Sequence, residues 1–140
     1  MKLHFDKQKC TGCCACQMAC MDQRDIRPLQ GQTSLCRIEA LERAGQLYYR
    51  FVHCVQCGKC SEVCPTECLY QDSRGLILAD TTRCIQCKAC QEACPMNVIS
   101  FDPDTGTVVK CDGCIGRIED GRLPACVHTC PTGALTLVTD

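Results

Sequence analysis

An α+β fold of short hairpins and one-turn helices in tandem is what the sequence predicts, and three observations predict it. A twelve-residue phrase occurs twice, CVQCGKCSEVCP over Cys54–Pro65 and CIQCKACQEACP over Cys84–Pro95, thirty residues apart. Nineteen of the 140 residues are cysteine, while tryptophan is absent and aromatics make up 4%, so an ordinary apolar core is out of reach. Short apolar runs broken by turn residues follow each phrase, the mark of small hairpins.

Each phrase spaces its cysteines C-x2-C-x2-C-x3-C-P, the run that holds cubane [4Fe–4S] clusters in bacterial ferredoxins. Three thiolates must converge on three corners of a small cube, and two-residue gaps let a tight loop wrap it. The fourth cysteine comes one helical turn after the third, faces the neighbouring loop and ligates the other cluster. Cys54, Cys57 and Cys60 are therefore expected to share a cluster with Cys94, and Cys84, Cys87 and Cys90 one with Cys64. The predicted fold is thus α+β, tandem bacterial-ferredoxin-like (dicluster) modules with hairpins and one-turn helices around cubanes. In such small metal domains binding and folding are one equilibrium.

Along the chain, the first motif, CTGCCACQMAC, repeats the spacing with Cys10, Cys13, Cys16 and Cys20 but ends in Met21 instead of proline. Residues 22–33 are polar, with Pro28 and Gly31, and read as a loop. Ser34–Leu41 and Gln46–Val52 are strand candidates around a turn at Glu42–Gly45. Further turns are expected at Asp72–Gly75 and Asp102–Gly106, each between short apolar runs. The fourth motif, CDGCIGRIEDGRLPACVHTCP, carries an eleven-residue insert between Cys114 and Cys126 before its final C-x3-C-P. Taken alone it would also suit a four-cysteine zinc site; beside three compact cluster motifs, iron–sulfur ligation is the stronger reading.

Three cysteines are surplus. In register, Cys14 falls where the second copy has Gly58 and the third has Lys88, and Cys68 falls where the later copies have Val98 and Ala134. Cys36 lies in a strand with no nearby cysteine. All three read as non-ligands, Cys36 and Cys68 as small buried side chains. His4, His53 and His128 are not needed to complete any site, and Glu119 and Asp120 in the insert read as a solvated turn.

Composition excludes several classes. The N-terminus MKLHFDKQKC has no apolar segment of the signal-peptide kind, so dense cysteines point to metal ligands in a reducing, cytoplasmic compartment. No apolar run approaches the eighteen or so residues of a membrane span. The formal net charge of -1 would be shifted further by clusters of about −2 each with their thiolates, which argues against a nucleic-acid surface. Nucleotide-binding glycine motifs are absent, so no independent enzyme is expected. A basic or potentially cationic residue precedes the first cysteine of every motif, namely Lys9, His53, Arg83 and Lys110; a positive charge there would favour the reduced, more anionic cluster.

With four motifs in hand, the chain resembles the four-cluster ferredoxin-like electron-transfer subunits of molybdenum or tungsten oxidoreductases and related hydrogenases, the DMSO reductase iron-sulfur subunit family. The match runs from Cys10 to Leu135, and its most diagnostic part is Lys110 to Leu135, because a generic ferredoxin has no such insert. The resemblance implies that the outer motifs exchange ligands as the inner ones do: Cys10, Cys13 and Cys16 with Cys130, and Cys111, Cys114 and Cys126 with Cys20. It implies a single polyferredoxin unit over 1–140, with an inner module over about 47–110, an outer module from about 1–33 and 111–140, and a hairpin insert over about 34–53. It further implies a non-catalytic subunit relaying single electrons to or from a large catalytic subunit of Mo/W or hydrogenase type. The inner pair would form the middle of the wire, and the two ends would be open to a further electron-transfer subunit or a second copy. Short connections and little sequence after the last motif favour a small cytoplasmic partner subunit, as in tungsten aldehyde oxidoreductases or formate dehydrogenases, over a membrane-anchored one. The alternatives are a free-standing soluble polyferredoxin shuttle and a structural zinc protein.

Overall fold

A computed structural model describes residues 2–138 of the chain. In order, the elements are β1 (Lys2–Phe5), α1 (Ala15–Gln23), β2 (Cys36–Arg43), β3 (Gln46–His53), α2 (Lys59–Glu62), β4 (Leu69–Gln71), β5 (Ile77–Ala79), α3 (Ala89–Ala93), β6 (Ser100–Phe101), β7 (Val108–Val109), α4 (Ile115–Glu119), α5 (Ala125–Thr129) and β8 (Leu135–Val138). The strands form four separate antiparallel ribbons: β1 with β8, β2 with β3, β4 with β5 and β6 with β7.

Helix length follows from what comes after the fourth cysteine. Pro65, Pro95 and Pro131 cannot continue a helix, so α2, α3 and α5 stop two or three residues before them at four or five residues each. Met21 carries no such restriction, and α1 runs on for nine residues, where a one-turn helix and then a loop were expected. Residues 28–30 add a 3-10 turn closed by Gly31 at φ 87°.

The hairpins at 69–79 and 100–109 lie where turn residues predicted them. Asp72 Oδ1 accepts from the backbone N–H groups of Arg74 and Leu76, both at 2.9 Å, and Asp102 Oδ1 accepts from that of Asp104 at 2.8 Å, which is how a short acidic side chain fixes a turn. The β2–β3 hairpin is longer than expected and its turn tighter. Only Ala44 and Gly45 turn, at φ 53° and 77°, because two left-handed residues match the twist of a two-residue hairpin. The insert of the fourth motif holds α4, with Glu119 its last residue and Asp120 just beyond, so the expected turn is the end of a helix.

Two ribbons set the topology. The pairing of β1 with β8, Lys2 opposite Val138 and Phe5 opposite Leu135, brings the first and last motifs together and lets α1 pack on α5. The β2–β3 hairpin leans on that unit and reaches the other: Arg37 donates to the carbonyls of Asn97 at 3.2 Å and Met96 at 3.3 Å. The result is two small cores. One gathers Cys60, Cys68, Leu69, Ile77, Cys90, Ile99 and Val108; the other gathers Cys16, Cys36, Phe51, Cys126, Val127 and Leu135. Few aliphatic side chains serve each, and a buried residue such as Ile77 contributes about 1.5–3 kcal/mol, so the cysteine sites must supply the rest. Among the described residues no helix is long and apolar enough to cross a membrane.

Candidate metal centres

The motif loops share one backbone device. The residue two places after the first cysteine is left-handed in every copy: Gly12 at φ 73°, Gln56 at 55°, Gln86 at 63° and Gly113 at 73°. That twist turns its N–H back on the cysteine, and Gly12, Gln56 and Gly113 each donate to the preceding thiol, of Cys10, Cys54 and Cys111, at 3.4 Å. A second left-handed residue starts the helix: Cys14 at 63°, Gly58 at 82° and Lys88 at 63°. Cys14 therefore occupies a backbone position that glycine and lysine fill elsewhere.

The four expected quartets each line a cavity of their own. Cys54, Cys57, Cys60 and Cys94 line one. Cys84, Cys87, Cys90 and Cys64 line the second, with Cys68 in the wall. Cys10, Cys13, Cys16 and Cys130 line the third, with Cys14 in the wall. Cys111, Cys114, Cys126 and Cys20 line a larger cleft that extends past Cys36, Phe51 and His53. Among the described residues no three His, Cys, Asp or Glu side chains close on a single-ion position; a tetrahedral zinc site would draw its sulfurs to within about 3.8 Å of one another.

The cavities lie in a row, and the order differs from the expected one. α1 carries Cys16 to one outer quartet and Cys20 to the other, and α5 with its C-terminal neighbour does the converse, Cys126 lying in the helix and Cys130 just past its end. The junction between halves is made by Cys54, Val55 and Gln56, which also line the cleft of Cys111, and by Lys110, which lines the cavity of Cys54. The row runs from the Cys10 quartet through the Cys111 and Cys54 quartets to the Cys84 quartet. The pair central in sequence is thus one half of the row, not its middle. The reason is the β1–β8 ribbon, which closes the outer motifs into a unit that sits beside the inner one.

Electrostatics favour a metal-bound state. Burial pushes the thiols of Cys16 and Cys90 up to about 11 and those of Cys111 and Cys126 up to about 12, so these buried sulfurs become comfortable anions only against a cation. At Cys64 and Cys130 burial is outweighed by donors, the N–H groups of Leu69 and Leu135 foremost and the hydroxyls of Thr66 and Thr132 after them, and both thiols are held below the ordinary range. Cys36 donates to Cys20, lowering it, while that bond and burial push Cys36 far up; its sulfur also lies 3.8 Å from the Cys16 carbonyl. Burial pushes Cys68 up to about 12. Both side chains are buried thiols in the walls of quartet cavities. Of the histidines, His53 lines the Cys111 cleft, and its buried Nδ1 has no partner among the described residues, a polar atom that a group bound there would meet.

Sixteen cysteines in four sets, without a histidine or carboxylate among them, fit iron–sulfur cubanes. The fold and site define an iron–sulfur protein of the ferredoxin type. Residues 46–140 match the family model described as 4Fe-4S dicluster domain. Among curated proteins, the sequence is 33% identical to the B subunit of the anaerobic dimethyl sulfoxide reductase of Haemophilus influenzae, over 94% of this protein and 70% of the relative. It is 39% identical to the thiosulfate reductase electron transfer subunit PhsB of Salmonella typhi, over 93% and 71%. It is 32% identical to the formate dehydrogenase-O iron-sulfur subunit of Escherichia coli strain K12, over 94% and 50%. The chain belongs to the 4Fe-4S dicluster domain family of iron–sulfur subunits that includes the B subunit of DMSO reductase.

Proposed function

We propose that the chain is an electron-transfer subunit carrying four [4Fe–4S] clusters in two ferredoxin-like modules. The inner module is about 47–110, the outer is about 1–33 with 111–140, and the hairpin of 34–53 leans on the outer one. It relays single electrons between a catalytic subunit and a donor or acceptor, and does no bond chemistry itself. One observation supports this reading: four cavities are each lined by a different four of the sixteen motif cysteines, with Cys14, Cys36, Cys54 and Cys68 as further wall residues.

When bound, such clusters take up and release one electron at a time. The chain's residues do the rest. Cysteine fills every ligand position, so no open site invites a substrate. Backbone N–H groups donate hydrogen bonds to the sulfurs of Cys10, Cys54 and Cys111, and the buried third cysteines keep water from the inner faces. Cys13 and Cys87 are exposed at the two ends of the row, and Cys57 is exposed along it, which supplies points of contact for partners. By analogy with the relatives' names, the catalytic partner is of the dimethyl sulfoxide reductase, thiosulfate reductase or formate dehydrogenase kind; the density of cysteines points to a reducing, cytoplasmic compartment for the complex.

Anaerobic purification tests this. The protein is expected to carry about sixteen irons and as many sulfides, and to co-purify with a large molybdenum- or tungsten-containing subunit. Full iron in a monomer that by itself shuttles electrons between enzymes would replace the subunit reading with the free polyferredoxin one.

A further inference from the structure

Four basic or potentially cationic residues precede motifs, and the structure separates them sharply. Lys9 is exposed, and Arg83 is 60% exposed and paired with Asp80 at 3.5 Å. His53 is half-buried. Lys110 is 3% exposed and the only charged side chain buried among the described residues.

Its ammonium donates to the carbonyls of Ile77 at 2.7 Å and Cys111 at 2.6 Å and to Gln56 Oε1 at 3.3 Å. None of these partners is a carboxylate. Neutral acceptors satisfy the hydrogens but leave the charge uncompensated, and a buried uncompensated cation is expensive. The nearby acid, Asp112, is taken by Arg24 at 2.6 Å. The remaining source of negative charge is the two quartets that Lys110 stands between. Its side chain lines the cavity of Cys54, Cys57, Cys60 and Cys94, and the next residue, Cys111, belongs to the neighbouring quartet. Gln56 completes the junction from the opposite half, accepting from the Ile77 N–H at 2.9 Å and donating to the Cys111 carbonyl at 3.2 Å.

We propose that Lys110 is a fixed positive charge shared by the two middle sites of the row, which makes both easier to reduce and so keeps the step between the two halves open. The step is a single-electron exchange with no bond made or broken and no proton moved. It rests on the reading of the quartets as [4Fe–4S] sites, so iron is measured first: wild-type protein without iron would sink that reading whatever Lys110 does.

The test is an EPR-monitored redox titration of the full chain and its Lys110→Met, Lys110→Gln, Lys110→Arg and Gln56→Glu variants. Signals are assigned beforehand through Cys57→Ala and Cys114→Ala. Lys110→Met and Lys110→Gln are expected to lower both middle potentials by about 59 mV or more, a tenfold change in the reduced-to-oxidised ratio of a one-electron couple. The end sites should shift far less and Lys110→Arg should stay near wild type. Gln56→Glu keeps the lysine but sets a carboxylate against it, so it should lower the same two potentials. It carries the test if the neutral lysine variants fail to assemble. Unchanged middle potentials, an equal fall at all four sites, or a fall in Lys110→Arg matching that in Lys110→Met would overturn the proposal.

Discussion

Replacing Gly12 with alanine puts the first cluster loop under two separable stresses. Gly12 sits at φ 73°, a left-handed conformation that costs an alanine about 1–2 kcal/mol. A methyl group there would also lie 2.5 Å from Cζ and 3.0 Å from Cδ1 of Tyr49, so the β3 ring or the loop must move, at about 1–3 kcal/mol for an overpacked site. Gly31 is a control of the same handedness, at φ 87° with nothing within 4 Å of its added methyl. Gly31→Ala therefore carries the backbone cost alone. The difference between the two variants is the collision, and at 1.4 kcal/mol per tenfold it corresponds to about 5- to 150-fold. Cluster loss is irreversible, so the observable is a rate: decay of visible absorbance under an iron chelator. Gly12→Ala should lose about a quarter of its iron that much faster than Gly31→Ala, and adding Tyr49→Ala should bring the rate back to the Gly31→Ala value. Equal decay in Gly12→Ala and Gly31→Ala, or no rescue by Tyr49→Ala, would refute the reasoning.

The surplus cysteines and the buried thiols give three further expectations. Cys14→Gly should keep full iron and gain up to about 1 kcal/mol, because Cys14 is left-handed at φ 63°; a loss of iron by analysis would show that Cys14 is a ligand. Cys68→Ala should also keep full iron while unfolding at a lower temperature than wild type at the same heating rate, since it deletes one buried group and Cys68 is 1% exposed. Protons and iron compete for the raised thiols of Cys16, Cys90, Cys111 and Cys126, so iron retention against a chelator should fall as pH drops from about 8 to 6, and a flat profile would contradict this.

What was legible in the sequence was what the metal dictates. Ligand spacing is set by the cluster rather than by the rest of the chain, so the one-turn helices and the hairpin within Cys54 to Pro95 could be read locally. The alignment that set Cys14 aside was tracking a backbone angle it shares with Gly58 and Lys88. What escaped depends on distant partners. Lys2–Phe5 is four residues long and becomes a strand only because Leu135–Val138 lies beside it, and no local pattern announces that. Without this ribbon the row of sites could not be ordered, and the pair central in sequence looked central in space. Lys110 likewise shares its motif position with Lys9 and Arg83; the packing of one half against the other makes it buried while they stay exposed.

The central claim is that cysteines at opposite ends of the chain complete each other's sites. Iron analysis with EPR of a Cys130→Ala variant tests it most directly. The account predicts loss of about four of the sixteen irons, with the signal of the site held by Cys10, Cys13 and Cys16 disappearing and the other three remaining. Retention of all four signals, or loss instead of the site held by Cys111, Cys114 and Cys126, would contradict it.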